Sequence, residues 1–256
     1  MKTNVWTRIA FVFLLLLIWE GLSLGKIWPS YVFPSPFGVI ASMVAGLEDG
    51  TFVRAMSASL QRAVTGYTIS VLLGIPLGLA IGRFRLARET LGSLILGFQT
   101  LPSICWLPLS LLWFGLSNRS IVFVVVMGSL MAIVIAVADG VRQIPTLFIR
   151  AGRTLGARGL FMFVNVLLPA SLPSIVTGLK LGWSFAWRSL LAGELLYVTV
   201  GLGQLLSAGR DLNDMARVIA VMIWIMMLGL AIDKLIFTPS QAAIRARWGI
   251  AESEII

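Results

Sequence analysis

The sequence predicts an all-α, polytopic membrane protein with about six transmembrane helices. Three observations lead to this fold class. Of the 256 residues, 58% are hydrophobic and only 12% are charged, the mean hydropathy is +0.95, and the apolar residues gather in long runs. Soluble domains average roughly 45–50% apolar and about 25% charged residues, so this composition is typical of a protein embedded in a membrane.

Six apolar runs define the predicted spans. A helix that crosses the roughly 30 Å hydrocarbon core needs about 20 apolar residues. Such runs occur at 9–25, 63–82, 90–115, 120–139, 170–200 and 217–237. The first run follows two positive residues, as a signal peptide would, but no small-x-small cleavage site follows it, so we interpret it as an anchor.

The distribution of Lys and Arg predicts the orientation of these spans. With the amino terminus in the cytoplasm, twelve positive residues lie inside and six outside, an excess that favours two cytoplasmic termini. The inside group is Lys2, Arg8, Arg83, Arg85, Arg88, Arg142, Arg150, Arg153, Arg158, Lys234, Arg245 and Arg247. The outside group is Lys26, Arg54, Arg62, Arg119, Arg210 and Arg217.

Between the first two spans, the sequence predicts an amphipathic helix on the outer surface. Ser35 can cap a helix whose first position is Pro36. Apolar residues then recur at helical spacing, at Ile40, Met43, Val44 and Leu47. The turn residues at 48–51 end this helix before the second span begins.

Composition excludes several classes of function. Histidine is absent and Cys105 is the single cysteine, which removes Ser-His triads, most zinc sites and any internal disulfide. The net charge of +9 is spread between apolar runs, so we expect no nucleic-acid partner. The sequence also lacks the Gly-x-x-x-x-Gly-Lys-Ser/Thr loop that cradles ATP phosphates, and we expect no cofactor on this chain.

A polar segment at 146–160 interrupts the apolar chain on the predicted cytoplasmic side. One face of the short helix predicted there is apolar and consists of Leu147, Phe148, Ala151 and Leu155. Arg150 and Arg153 point elsewhere. Gly152 and Gly156 carry no side-chain bulk, so another protein could approach the backbone closely, and Gly156 can also end the helix.

The flanking residues of this segment allow two interpretations. Pro169 and Pro173 are predicted to break any continuous helix and to turn the chain back into the membrane. Charge alone gives a simpler alternative, in which the arginines of the segment only satisfy the positive-inside bias. The spacing of the glycines and prolines requires a further explanation.

That spacing is similar to a family signature. Arg150-Ala151-Gly152 is followed by Gly156, Val166 and Leu168-Pro169. This pattern resembles the cytoplasmic signature of the membrane-spanning permeases of binding-protein-dependent bacterial ABC importers: Glu-Ala-Ala, three residues, Gly, nine residues, Ile, one residue, Leu-Pro. The chain departs from the signature at Arg150, which replaces a glutamate, and at Gly152, which replaces an alanine.

Further segments resemble the nitrate, sulfonate, taurine and bicarbonate branch of these permeases. They are "FPSPFGV", "GIPLGLAIG", "LPSICWLPLSLLWFG" and "GLKLGWSFAWRSLLAGELL", and the likeness covers about 30–240. It implies a type I importer-like permease fold in one domain, 1–256, with a family core at about 60–240 and a coupling helix at 146–160. The implied coupling residues are Leu147, Arg150, Ala151, Gly152, Arg153, Gly156 and Pro169.

The resemblance also implies partners and a location. The expected partners are a second permease copy in a homodimer, ABC ATPase subunits that bind ATP and Mg²⁺, a periplasmic or lipid-anchored solute-binding protein, and membrane lipids. The expected location is the bacterial inner membrane. ATP hydrolysis would belong to the partner, so the chain itself is not expected to be an enzyme.

Polar groups inside the predicted spans are candidates for a translocation path, because they are costly when unpaired in hydrocarbon. We select Gln99, Arg188 and Glu194. Arg188 would help a small anion to cross, since a guanidinium stays charged and matches oxyanion geometry. The alternative role for Arg188 and Glu194 is packing through hydrogen bonds between helices. Three other charged residues within the spans are expected to extend their side chains to the membrane surface: Asp139, Lys180 and Asp233.

The resulting functional hypothesis is import of a small oxyanion, namely nitrate, a sulfonate such as taurine, or bicarbonate. One alternative is the same machinery importing a small organic solute that is not an anion. Another is a channel or secondary transporter without an ATPase, which inverted repeats and paired broken helices would favour. An intramembrane enzyme would need two carboxylates, or a nucleophile and a base, at matching depth.

Overall fold

The computed structural model describes residues 5–197 and 199–247, and these residues contain helices and turns but no β-strand. The predicted all-α class is confirmed. The helices are α1 Val5–Leu24, α2 Pro36–Glu48, α3 Thr51–Arg83, α4 Arg85–Gln99, α5 Ser103–Phe114, α6 Asn118–Arg142, α7 Thr146–Thr154, α8 Phe163–Leu196, α9 Leu202–Asp211 and α10 Met215–Arg247. A single turn, Gly159–Met162, precedes α8. Lys2 of the predicted inside group lies outside the described residues.

Four helices, α3, α6, α8 and α10, are long and apolar enough to cross a membrane. The run predicted as one span at 90–115 is not one continuous helix, because α4 and α5 meet at an angle of 102°. Pro102 lacks a backbone N–H and disfavours helical geometry at Leu101. Counted as one broken span, this pair is the fifth candidate, and α1 contains a shorter apolar helix. The predicted number of about six is therefore approximate.

The described residues fold as two compact units. One unit contains 5–59 and Glu194–Leu228, and the other contains Leu60–Gly193 and 229–247. Several helices contribute residues to both units, since the boundaries fall within α3, α8 and α10.

The larger unit is held together by small residues that repeat every fourth position on α3. A Cβ at Gly74 would lie 2.8 Å from Ile133 Cγ2, and one at Gly78 would lie 2.6 Å from Val137 Cβ. Without side chains at these positions the backbones of α3 and α6 approach closely, which is the usual way that membrane helices associate. The small residues are Gly66, Ser70, Gly74, Gly78 and Gly82, and Ser129 Oγ donates a 2.7 Å hydrogen bond to Ser70 Oγ.

An aromatic cluster adds α8 and α10 to this unit. Tyr67 on α3 packs edge-on against Trp183 on α8, with ring centroids 5.2 Å apart. Phe237 on α10 lies 6.3 Å from the Trp183 ring. The Tyr67 hydroxyl donates a 2.9 Å hydrogen bond to the Leu179 carbonyl, so the polar end of this ring is satisfied inside an apolar environment.

The predicted break of α8 at Pro169 and Pro173 is wrong. α8 passes through both prolines. Its first turn, Phe163–Leu167, is a π-helix directly before Pro169, and Pro173 lies within the α-helix that follows. The Leu168 N–H donates to the Phe163 carbonyl, five residues back, and such local widening accommodates residues that cannot donate. The prolines therefore lie within a membrane-spanning helix.

The smaller unit confirms the predicted start of α2. Ser35 Oγ accepts a 3.1 Å hydrogen bond from the Gly38 N–H, and Pro36 occupies the first helical position. The turn after α2 has Gly50 at φ +71°, as the residues at 48–51 predicted. Hydrogen bonds from the side chain and backbone of Thr51 hold the pKa of Asp49 below its usual range.

Candidate functional site

The segment at 146–160 contains a nine-residue helix, α7, which a glycine terminates. Gly156 has φ +84°, and its N–H donates to the Arg153 carbonyl at 3.0 Å. The Ala157 N–H donates to the Gly152 carbonyl at 2.9 Å. These two bonds and the left-handed glycine form a Schellman motif, which satisfies carbonyls at the end of a helix. The prediction that Gly156 ends the helix is confirmed.

The outer face of α7 is apolar and exposed. Leu147, Phe148 and Leu155 are 72%, 53% and 85% exposed, and the predicted docking residues Arg150 and Ala151 are also exposed. The opposite face of α7 packs against the protein, since Gly152 is buried and Ile149 is half-buried. Large exposed apolar side chains on one face are typical of a surface that binds another protein or the membrane.

Gly152 does not leave an open backbone surface, and that expectation is wrong. A Cβ there would lie 3.0 Å from Met162 Sδ and 3.1 Å from Val166 Cγ2. Gly152 therefore allows α7 to pack on the beginning of α8, whereas nothing lies within 4 Å of a Cβ at Gly156. The contact between Gly152 and Val166 gives a physical reason for the spacing of the family signature. The chain reverses its direction at Gly156, and this turn brings Val166 against Gly152.

A small core within the larger unit packs α7 against the beginning of α8. Ile144, Ala157, Met162 and Leu167 are buried together. Pro169 is half-buried on α8. It lines a cavity of about 450 Å³ that is also lined by Phe148, Asn165, Val166, Ala170 and Arg247. Pro169 thus lies beside the exposed apolar face of α7 rather than on α7 itself.

A second candidate region lies at the break between α4 and α5. A Cβ at Gly128 on α6 would lie 2.8 Å from Ser189 Cβ and 3.2 Å from Ser103 Cβ. Ser103 is the first residue after the break, and Ser189 follows Arg188 on α8. The break and Arg188 therefore lie at the same level of α6.

Arg188 lies on an exposed stripe of α8 that is partly polar and partly apolar. Its other members, at helical spacing, are Thr177, Leu181, Ser184 and Phe185. The Arg188 guanidinium lies 6.0 Å from the centroid of the Phe185 ring, and it forms no ion pair with any Asp or Glu that the structure describes. A charged group on the face of a spanning helix needs water, a partner chain or a solute.

Gln99 is exposed at the last position of α4, directly before the break. Within the described part of the chain, no hydrogen bond joins it to Arg188. The structure therefore places two of the predicted path residues at exposed positions, with no hydrogen bond between them.

Glu194 occupies a different environment, in the core of the smaller unit. Its side chain is 0% exposed. Ser59 Oγ lies 2.8 and 2.7 Å from the two carboxylate oxygens, and the Gly203 N–H donates to Oε2 at 3.0 Å. The Leu202 N–H in turn donates to Ser59 Oγ at 2.8 Å. The carboxylate thus lies at the amino terminus of α9, where negative charge is stabilised.

This arrangement favours the packing alternative for Glu194. A Cβ at Gly201 would lie 2.6 Å from Glu194 Cδ, so glycine leaves the room that the carboxylate occupies. Sequence reasoning missed Ser59, which lies 135 positions away. The only local signal was the Gly-Leu-Gly at 201–203, which is compatible with close backbone approach to a side chain.

Comparison with known proteins places the chain in a family. Residues 70–239 match the binding-protein-dependent transport system inner membrane component family. The chain is 32% identical to the nitrate import permease protein NrtB of Leptolyngbya laminosa, over 92% of this chain and 86% of that protein. It is 32% identical to the taurine transport system permease protein TauC of Escherichia coli K12, over 85% of this chain and 82% of that protein.

The fold has a solved counterpart. A chain of the MetNI methionine ABC transporter, in an inward-facing conformation, has a TM-score of 0.66 at 21% identity and covers 77% of this chain and 95% of that chain. Identity at this level shows the fold alone. The relatives are transport permease subunits, so this chain is a multi-pass inner membrane transport subunit and not an enzyme. The chain belongs to the family of binding-protein-dependent transport system inner membrane components.

Proposed function

We propose that the chain pairs with a second copy to form the translocation path of an ABC importer for a small oxyanion, namely nitrate, a sulfonate such as taurine, or bicarbonate. It couples through α7 to separate ATPase subunits that bind ATP and Mg²⁺. A periplasmic or lipid-anchored solute-binding protein delivers the solute. Both termini lie in the cytoplasm.

The observation that carries the solute class is Arg188. It is an exposed arginine on a membrane-spanning helix, at the level of a helix break and without an acidic partner among the described residues. Guanidinium presents several N–H donors in a plane and matches an oxyanion such as nitrate or sulfonate. The names of the nitrate and taurine relatives support the same class.

The observation that supports coupling is the outward apolar face of α7. Leu147, Phe148 and Leu155 are exposed beside Arg150, in the segment that carries the signature spacing. The chain has no phosphate-binding loop of its own, so a partner must supply ATP hydrolysis. Docking on α7 would transmit the movement of that partner to α8 through the Gly152 contact.

One alternative solute is small and organic without being an anion. In that case Arg188 would contact the second copy, and its charge would not affect the choice of solute.

Uptake by a strain that lacks the gene tests the proposal. The strain is complemented with wild type, Arg188→Leu or Arg188→Lys and supplied with isotope-labelled nitrate, taurine, bicarbonate or methionine. We expect wild type to restore uptake of one oxyanion, Arg188→Leu to abolish it, and Arg188→Lys to retain part of it at higher KM. Restoration of methionine uptake alone, with Arg188→Leu active, would contradict the oxyanion assignment.

A further inference from the structure

Three arginines line one cavity beside α7. The cavity has a volume of about 510 Å³ and lies between the last turn of α3, the end of α6, α7 and the turn before α8. Its charged lining is Arg83, Arg153 and Arg158. The remaining lining is glycine or apolar: Gly82, Val141, Ile149, Ala157, Gly159, Met162 and Leu167. No carboxylate of the described residues contributes to it.

Two other arginines of the larger unit pair with a carboxylate of their own helix. Arg85 lies 2.6 Å from Glu89 Oε1, and Arg142 lies 3.4 Å from Asp139 Oδ1. A neighbouring cavity of about 450 Å³ contains both arginines and carboxylates in its lining. The arginines of the three-arginine cavity form no such pairs with any Asp or Glu in 5–197 or 199–247. Like charges around one cavity repel each other, and a bound anion would remove that repulsion.

We propose that this cavity binds a phosphate group at the membrane surface. Guanidinium groups bind phosphate oxygens through paired N–H donors, and three of them supply more charge than one phosphate diester carries. The cavity lies where the spanning helices α3 and α6 end, so it meets the headgroup layer. Its apolar lining, including Ile149, Met162 and Leu167, suits a ligand that is anionic at one end and apolar at the other.

Two sources can supply this phosphate group. One is the headgroup of an anionic phospholipid such as phosphatidylglycerol, and the other is free orthophosphate. In either case the bound group joins α7 to α3, because Arg153 belongs to α7 and Arg83 ends α3. The binding site does not depend on which solute the protein transports.

Lipid retention by the full-length chain tests the first source. The protein is placed in nanodiscs with equal amounts of phosphatidylglycerol and zwitterionic phosphatidylethanolamine, and the lipids that stay bound are measured by native mass spectrometry. Each arginine near a membrane surface contributes about 1 kcal/mol toward an anionic lipid, or about fivefold in affinity. We expect each single Arg→Gln change to lower phosphatidylglycerol retention about fivefold, and the triple change by about 100-fold.

Equilibrium dialysis with radiolabelled orthophosphate tests the second source. Binding lost in the triple variant, without preference for phosphatidylglycerol, would assign the site to free phosphate. Arg142→Gln is the matched control: it removes one positive charge from the same end of the unit but lies outside the three-arginine cavity. Asp139 already offsets that charge, so Arg142→Gln should change both measurements less than any of the cavity variants. Circular dichroism checks folding, and the single variants carry the test if the triple variant does not fold. The proposal is overturned if the wild-type protein neither retains phosphatidylglycerol preferentially nor binds orthophosphate. It is also overturned if Arg142→Gln has the effect of the cavity variants.

Discussion

The ammonium of Lys180 lies 2.9 Å from Oδ1 of Asp233, and this ion pair joins α8 to α10. Each side chain is only about one third exposed. The sequence predicted that both residues would extend separately to the membrane surface. The pairing instead neutralises two charges within spanning helices, which lowers their cost in an apolar environment. Asp139 behaves closer to the prediction, since it is half-exposed and lies 3.4 Å from Arg142.

We predict that Asp233→Asn destabilises the protein, because it leaves Lys180 without its carboxylate. The expected loss is about 1–2 kcal/mol, between the values for exposed and buried pairs. Thermal unfolding in detergent measures it. The charge-reversed pair Lys180→Asp with Asp233→Lys should recover most of the loss. If the stability losses of the two single variants simply add up in the double variant, the ion pair contributes nothing to stability.

Glu194→Ala should be strongly destabilising. It leaves the Gly203 N–H and the Ser59 hydroxyl without an acceptor in a buried site, and each unsatisfied group costs about 1–3 kcal/mol. Glu194→Gln keeps one carbonyl oxygen and should cost less. If Glu194 serves packing, uptake by Glu194→Gln should remain near the wild-type rate in membranes with equal amounts of protein. A stable Glu194→Gln protein that no longer transports would assign the carboxylate to the path.

Gly156 can be tested by separating backbone conformation from side-chain bulk. A leucine at φ +84° is strained by about 1–2 kcal/mol whatever surrounds it, so Gly156→Leu should misplace the end of α7 and uncouple ATP hydrolysis from uptake. Asn tolerates the left-handed conformation, and Gly156→Asn should retain coupling. The measurement is ATP hydrolysis per solute transported. Loss of coupling in Gly156→Asn would indicate that bulk, and not backbone geometry, is limiting there.

Ala151 tests the docking face directly, because it is exposed between Leu147 and Leu155. Ala151→Trp should hold a partner away from α7 and lower the amount of ATPase that copurifies with the chain by about tenfold or more, since it fills a packed interface. Ala242→Trp, at an exposed position of α10, is the control and should copurify normally. Undiminished copurification with Ala151→Trp would remove α7 from the interface.

The ends of helices were predictable from the sequence where the residues of one short segment determine them. Ser35 and Pro36 start α2, and Gly156 ends α7, because caps depend on residues a few positions apart. The 102° angle between α4 and α5 was not predictable, since tertiary packing decides how two half-helices separate. The Glu194 network and the Lys180–Asp233 pair were missed because their members are distant in the chain. The helix break predicted at Pro169 was wrong because a π-turn can accommodate a proline that ordinarily ends a helix.

The most direct test of the account is solute accumulation by the complete complex in proteoliposomes, with ATP inside or absent and no ion gradient imposed. We expect the labelled oxyanion to accumulate against its gradient only when ATP, the ATPase subunits and the solute-binding protein are all present. Accumulation without ATP that follows an imposed proton or sodium gradient would contradict the account and would identify a secondary transporter.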